Sequence, residues 1–159
     1  MTLTVSSTNL PALSEREETG GHLQALLVEL IDLSLLGKQL HWTVTGALFR
    51  PLHLQLDELI DSWRELADTV AERAVAIGFI PDGQSATVAA DTPLRTVDRR
   101  PLDDRVVASE LTARLAEVAG HARERMDALA ELDAASQDVV TEVVRALEQQ
   151  LWMLRVQLA

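Results

Sequence analysis

The 159-residue sequence predicts an all-α fold in which four long helices form a bundle. Apolar residues recur at helical spacing in four long segments, and no segment shows the strict alternation of a half-buried strand. Three of the five prolines lie in one stretch, residues 79–101, which separates the second segment from the third. A chain of this length can bury one sizeable core, so we expect a single folded domain.

The first segment follows a polar beginning. Residues 1–18 are predicted to form an N-terminal arm, extended or partly disordered, ahead of a bundle domain that spans residues 19–159. The first helix is expected from Thr19 to about Thr45, because leucines recur there on one helical face and Gly46 favours a helix end. The short turn that follows predicts an antiparallel second helix.

The second segment, residues 50–78, is strongly amphipathic. At about 100° per residue, one side carries leucines, Trp63 and Val70. A sector about 120° wide on the other side carries a histidine and a stripe of carboxylates: His53, Asp57, Asp61, Glu65, Asp68 and Glu72. Such a stripe is typical of a solvated helix face. The alternative is a metal-binding face, which the spacing of its members favours.

Beyond the second helix the helical pattern breaks over residues 79–101, and about 23 residues is long for a structureless connection. We expect a crossover along the bundle with a short helix near Ser85–Ala90. The third helix is predicted over Asp103–Leu132, and the fourth, capped by Asp133, continues to about Gln157. Four long helices with a long crossover between the second and third define a ferritin-like four-helix bundle.

Two pairs on the second helix have the spacing of metal ligands. His53 and Asp57 are four residues apart, as are Asp68 and Glu72, and either pair could hold Fe, Mn or Zn. The two pairs are separated by roughly 16 Å along one helix, so they cannot share an ion within it. They are symmetric about the Ser62–Trp63 bond, so a two-fold axis there would set each pair against the other pair of a second chain. The sequence therefore predicts two metal sites across a homodimer interface.

The remaining histidines give weaker signals. His41 lies twelve residues before His53, across the turn, so the two could converge; a structural role at the helix end is the alternative. His22 and His121 are assigned no role, and a surface pair with Glu117 is expected for His121. No histidine follows a glutamate at the Glu-x-x-His spacing of a di-iron site within one bundle, so that site is not predicted.

Composition excludes several classes of protein. No apolar run approaches the roughly 18–20 residues of a membrane span, and a signal-peptide pattern is missing, so a cytoplasmic protein is expected. Cysteine is absent, which excludes disulfides and thiol chemistry. The net charge is −11 and no Lys/Arg-rich tail is present. Direct DNA binding and nucleoid association are therefore not expected, because duplex affinity comes mainly from Lys/Arg neutralising phosphates.

The run Lys38-x-x-His41-Trp42, with the two spaced pairs of the second helix, closely resembles the Dps family (DNA-binding proteins from starved cells), which are mini-ferritins. The resemblance covers roughly residues 20–158. It implies an iron centre that holds up to two ions between subunits. Its catalytic metal ligands would be His41, His53 and Asp57 of one subunit with Asp68 and Glu72 of its two-fold mate.

The resemblance also implies a function. The family builds hollow homododecamers of 23 symmetry from two-fold dimers, oxidises Fe(II) with hydrogen peroxide or O2, stores ferric mineral and so protects DNA from oxidative damage. Asp133 and Asp138 would line iron-entry pores, with a plain helix-start role as the alternative for Asp138. Lys38 would orient a ligand carboxylate, and Trp42 would quench stray oxidising equivalents or pack at the dimer interface. A nucleoid-associated structural cage with little ferroxidase activity is the alternative function.

Overall fold

The computed structural model describes residues 12–159, most of which are helical. The predicted all-α bundle is confirmed, with a short helix on the long crossover between its second and third long helices. No helix in residues 12–159 is both long enough and apolar enough to cross a membrane. The elements in chain order are α1 (Leu13–Thr43), β1 (Val44–Thr45), α2 (Phe49–Ala76), α3 (Ser85–Asp91), β2 (Leu102–Asp103), α4 (Asp104–Leu129) and α5 (Ala134–Leu158).

The four long helices pack around one continuous apolar core. α1 lies along α2 and α4 along α5, and contacts of α1 with α4 and of α2 with α5 close the bundle. Leucines dominate the core, and Trp63 of α2 is the largest fully buried side chain. Its indole N–H donates to Gln150 Oε1 of α5 at 2.8 Å, so the ring is buried without an unpaired donor. This packing leaves the opposite, acidic face of α2 exposed.

The predicted start of the first helix is wrong. α1 begins at Leu13 rather than Thr19, so residues 13–18 of the predicted arm are helical, and the arm before Ala12 lies outside the described residues. Glu15 accepts a hydrogen bond from the Ala12 backbone N–H at 2.9 Å, which satisfies a free donor at the helix start. A polar composition predicts an arm here, but the exposed turns of an amphipathic helix are equally polar.

The turn between α1 and α2 is fixed by contacts with the start of α4. Gly46 has a φ of +111°, and a Cβ added there would lie 2.5 Å from Asp104 Oδ2. Glycine is therefore required at this position. The buried Asp104 carboxylate accepts a hydrogen bond from the Leu48 backbone N–H at 2.6 Å. The parallel pairing of Val44 with Leu102 is a second contact between this turn and the chain that leads into α4.

The crossover is bound to the bundle at two places. The Gln24 side chain exchanges two hydrogen bonds with the Asp82 backbone, both at 2.8 Å. Further along, the buried Arg114 guanidinium donates to the carbonyl oxygens of Arg95 at 2.9 Å and Thr96 at 2.8 Å. These bonds run between α1, the crossover and α4, and they hold the connecting chain against the helices.

Candidate metal centre

Three predicted ligands meet at the α1–α2 turn. His41 lies in the last turn of α1, and His53 and Asp57 lie near the start of α2. One ligand atom from each residue lies within 4.8 Å of the others. His41 is buried while His53 and Asp57 are half-buried, so an ion can reach the group from the surface. Within residues 12–159 no other set of three His, Asp or Glu side chains is so closely grouped.

The two imidazole rings hold each other in place. They stack with centroids 3.6 Å apart and an interplanar angle of 22°. Nδ1 of each ring lies 3.0 Å from the backbone carbonyl oxygen of the other histidine. Since a carbonyl oxygen only accepts hydrogen bonds, each Nδ1 carries the proton and each Nε2 keeps its lone pair. In each ring Nε2 is therefore the nitrogen that is left to act as a metal ligand.

Asp57 is the anionic member of the group. The Lys38 ammonium forms an ion pair with Asp57 Oδ1, and His41 Nδ1 lies 3.4 Å from the same oxygen. The hydrogen bond from Lys38 holds the pKa of the Asp57 carboxyl below its ordinary value of 3.8, and the neighbouring positive charge acts in the same direction. Asp57 is ionised at neutral pH, and Lys38 lies beside a predicted ligand carboxylate.

Asp68 and Glu72 lie apart from this group within the chain. Both are exposed on α2, and eleven residues separate Asp68 from Asp57, or roughly 16 Å along the helix axis. A mostly apolar hollow of about 380 Å³ adjoins Asp68. It is lined in part by Ile31 and by Leu35, whose side chain is 56% exposed. An exposed leucine beside an apolar hollow is typical of a surface that another chain covers.

The other predicted residues, Trp42, Asp133 and Asp138, differ in exposure and in hydrogen bonding. Trp42 is 69% exposed beside the buried His41. Asp133 is the N-cap of α5, as the sequence predicts, since its Oδ2 accepts a hydrogen bond from the Ser136 backbone N–H at 3.1 Å. The same oxygen accepts a hydrogen bond from Arg73 Nη2 at 2.6 Å. Asp138 is exposed on α5. Of the two acids predicted to line a pore, Asp138 is the more accessible, because Asp133 Oδ2 already accepts hydrogen bonds from Ser136 and Arg73.

One buried polar group escapes prediction from the sequence. Glu29 of α1 is 1% exposed and binds two residues of α4, with His121 Nδ1 at 3.2 Å and Arg125 Nη2 at 2.5 Å. The expected surface pair of His121 with Glu117 is therefore wrong, because the imidazole turns inward to the buried carboxylate. The signal available in the sequence is Glu29 itself, a lone acid within an apolar helical run, but its partners lie more than ninety residues away.

The four-helix bundle, its long crossover and the group of His41, His53 and Asp57 at the α1–α2 turn are those of the ferritin-like proteins. Residues 21–159 match the ferritin-like domain family. Within that class, the chain belongs to the Dps family. It is 34% identical over 137 residues to the DNA protection during starvation protein of Agrobacterium fabrum, covering 84% of this chain and 83% of that protein.

Two further relatives carry the same name. The chain is 30% identical over 159 residues to the DNA protection during starvation protein of Mycolicibacterium smegmatis, which covers 97% of this chain and 85% of the relative. It is 30% identical over 151 residues to DNA protection during starvation protein 2 of Deinococcus radiodurans. That match covers 94% of this chain but only 63% of the relative, so the chain spans less than two thirds of that protein.

Solved structures agree with the fold. The tetragonal form of Mycobacterium smegmatis Dps superposes with a TM-score of 0.90 at 26% identity, covering 99% of this chain and 94% of that one. Dps from Microbacterium arborescens in the high iron form gives a TM-score of 0.87 at 29% identity, covering 94% and 98% of the two chains. The ferritin-like bundle is therefore shared along nearly the whole chain.

Proposed function

We propose that this protein is an iron storage and detoxification protein that oxidises Fe(II) at intersubunit sites and stores the ferric product in a homododecameric cage. The observation that carries the proposal is the group of His41, His53 and Asp57, whose imidazoles are set by hydrogen bonds to bind a metal through Nε2. The high iron form named for the Microbacterium arborescens relative supports iron as the substrate. The relatives' name, DNA protection during starvation protein, supports protection of DNA as the outcome.

The second half of each centre comes from a two-fold mate. Asp68 and Glu72 are exposed and symmetric with His53 and Asp57 about the middle of α2. A two-fold axis at that point brings the acidic pair of one chain to the histidine half-site of the other, twice in each dimer. The apolar hollow beside Asp68 provides apolar area that would be buried around the site when the dimer forms. Each dimer would then hold two centres, each with up to two iron ions.

The ligand set suits a two-electron oxidation by hydrogen peroxide. Two Fe(II) ions each give one electron to one peroxide; with two protons, its O–O bond breaks and two Fe(III) ions and two water molecules result. Paired ions avoid the one-electron reaction that releases hydroxyl radical. The carboxylates of Asp57, Asp68 and Glu72 favour Fe(III), because carboxylates are hard oxygen ligands. O2 is the alternative oxidant.

Acidic side chains on the same face of α2 favour storage near the centre. Glu58, Asp61 and Glu65 are exposed along the helix between the two half-sites. Such a row of carboxylates attracts Fe(II) and can bind ferric ions as the mineral begins to form. If this face lines the inside of the cage, oxidation and mineral growth occur on one surface.

Subunit mixing tests the shared centre. We expect His41→Ala chains and Glu72→Ala chains to be inactive alone, because each loses a ligand at every site. In a mixed dimer, one of the two sites has neither substitution. Random equal mixing should therefore restore about one quarter of the sites, measured as fast Fe(II) oxidation after joint refolding.

The matched control mixes His41→Ala chains with His53→Ala chains. Both substitutions fall in the same half-site, so no combination rebuilds an intact centre and oxidation should stay absent. Equal recovery in both mixtures, or none in the first mixture despite mixing confirmed by mass spectrometry, would contradict an intersubunit centre.

A further inference from the structure

A second histidine-containing group lies between α1, α4 and the end of α3, apart from the iron centre. At its base is the buried Glu29, bound to His121 and Arg125. A cavity of about 310 Å³ opens beside these side chains and is also lined by Asp91, Pro93 and Glu124. No step of the proposed iron chemistry uses any of these residues.

Glu29 determines which nitrogen of His121 is free. Arg125 forms an ion pair with this carboxylate, and the oxygens of such a pair accept hydrogen bonds. His121 Nδ1, 3.2 Å from Glu29 Oε2, is therefore the donor, which leaves Nε2 as the nitrogen that can bind a metal. The His121 side chain is 33% exposed and lines the cavity. A buried carboxylate that holds one ring nitrogen is how proteins orient histidines that bind metals.

The charges around the cavity favour a cation. Glu29 and Arg125 neutralise each other, and the exposed Asp91 and Glu124 contribute two further carboxylates. Among the described lining residues there is no lysine and no second arginine. Arg125 Nη1 is buried without a hydrogen-bond partner, so the cavity also offers a donor to a water molecule or another oxygen ligand.

We propose that this cavity binds a divalent transition-metal ion, with Zn(II) as the reference ion, through His121 Nε2 and the carboxylates of Glu124 and Asp91. Imidazole and carboxylate together are ordinary zinc ligands. In this structure His121, Glu124 and Asp91 are spread farther apart than the three ligands of the iron half-site, so binding requires the exposed Glu124 and Asp91 side chains to turn toward His121. Once bound, it joins α4 to the end of α3 and holds the crossover against the bundle.

The test uses the assembled protein carrying His53→Ala and Asp57→Asn, which remove the iron half-site. Zn(II) binding is measured by calorimetry, and Co(II) absorption in the visible region reports the ligands. Adding His121→Asn keeps an amide N–H for Glu29 but removes the ligand nitrogen. We expect the loss of one Zn(II) per chain, or at least tenfold weaker binding, with loss of the Co(II) band. His22→Ala, a histidine that does not line the cavity, should change neither.

Unchanged Zn(II) binding in the His121→Asn protein would overturn the proposal. Asparagine keeps the hydrogen bond to Glu29 but has no ligand nitrogen, so this result would show that His121 has only a structural role. If that variant fails to fold, a Glu124→Gln and Asp91→Asn protein replaces two exposed carboxylates and serves instead. Weaker Zn(II) binding supports the site, and unchanged binding overturns it. Neither result depends on iron oxidation, so the proposed function is tested separately.

Discussion

At the scale of single residues, hydrogen bonds decide which atoms are free to bind metal. Each Nδ1 of His41 and His53 donates to the other's backbone carbonyl, so both lone pairs are on Nε2. Asp57 differs from the two histidines, because one of its possible ligand atoms, Oδ1, is already paired with the Lys38 ammonium. An arriving ion has to compete with Lys38 for this carboxylate. We therefore expect the metal affinity of the group of His41, His53 and Asp57 to be lower than these three ligands alone would give.

Replacing this lysine should strengthen metal binding. In Lys38→Met, Asp57 loses its competing cation, so we expect anaerobic Co(II) or Fe(II) to bind roughly tenfold more tightly, or about 1.4 kcal/mol. Calorimetry on the assembled protein measures the change. Lys38→Arg keeps the charge and serves as the control. Weaker binding in Lys38→Met would instead indicate that the lysine's main role is to orient the carboxylate.

At the scale of elements, the sequence predicts what depends on local spacing. The two faces of α2 follow from periodicity over 28 residues, and the N-cap role of Asp133 follows from its place before a helical run. The start of α1 could not be predicted in this way, because a polar composition is shared by exposed helical turns and by extended arms. The partners of Glu29 could not be predicted either, since they are brought together only when α1 packs against α4.

The cap of α5 has a stability that depends on pH. Burial raises the pKa of Asp133, but hydrogen bonds from Ser136 and Arg73 outweigh it and the net pKa lies below the ordinary 3.8. The ionised carboxylate therefore stabilises the fold above pH 3.8, and this contribution is lost as the pH falls through the lowered pKa. We expect Asp133→Ala to cost about 1–2 kcal/mol at pH 7 and less in acid, measured by urea unfolding.

Asp138→Ala is the matched control for this prediction. Asp138 is exposed one turn into the same helix, so its removal should change the unfolding free energy by less than about 0.5 kcal/mol. If both substitutions cost the same at neutral pH, then the cap contacts of Asp133 add nothing beyond the general attraction of acids to a helix start.

At the scale of the whole molecule, the charge decides which partners are available. In the proposed dodecamer, twelve chains of −11 would give −132, which would attract Fe(II) and repel DNA. We expect the purified protein, near 210 kDa for twelve 17.5 kDa chains, not to retard plasmid DNA in a gel at about 150 mM salt. Retardation without an added divalent ion would show that local basic surface outweighs the net charge.

In the proposed function, two chains build a centre that passes two electrons to one peroxide. The most direct measurement loads the assembled protein with Fe(II) without oxygen, adds limiting hydrogen peroxide and counts the Fe(II) oxidised, with a hydroxyl-radical trap present. We expect two Fe(II) oxidised per peroxide, fast oxidation and little trapped radical. Slow oxidation with abundant radical, as in buffer alone, would contradict the proposed function and favour a structural cage.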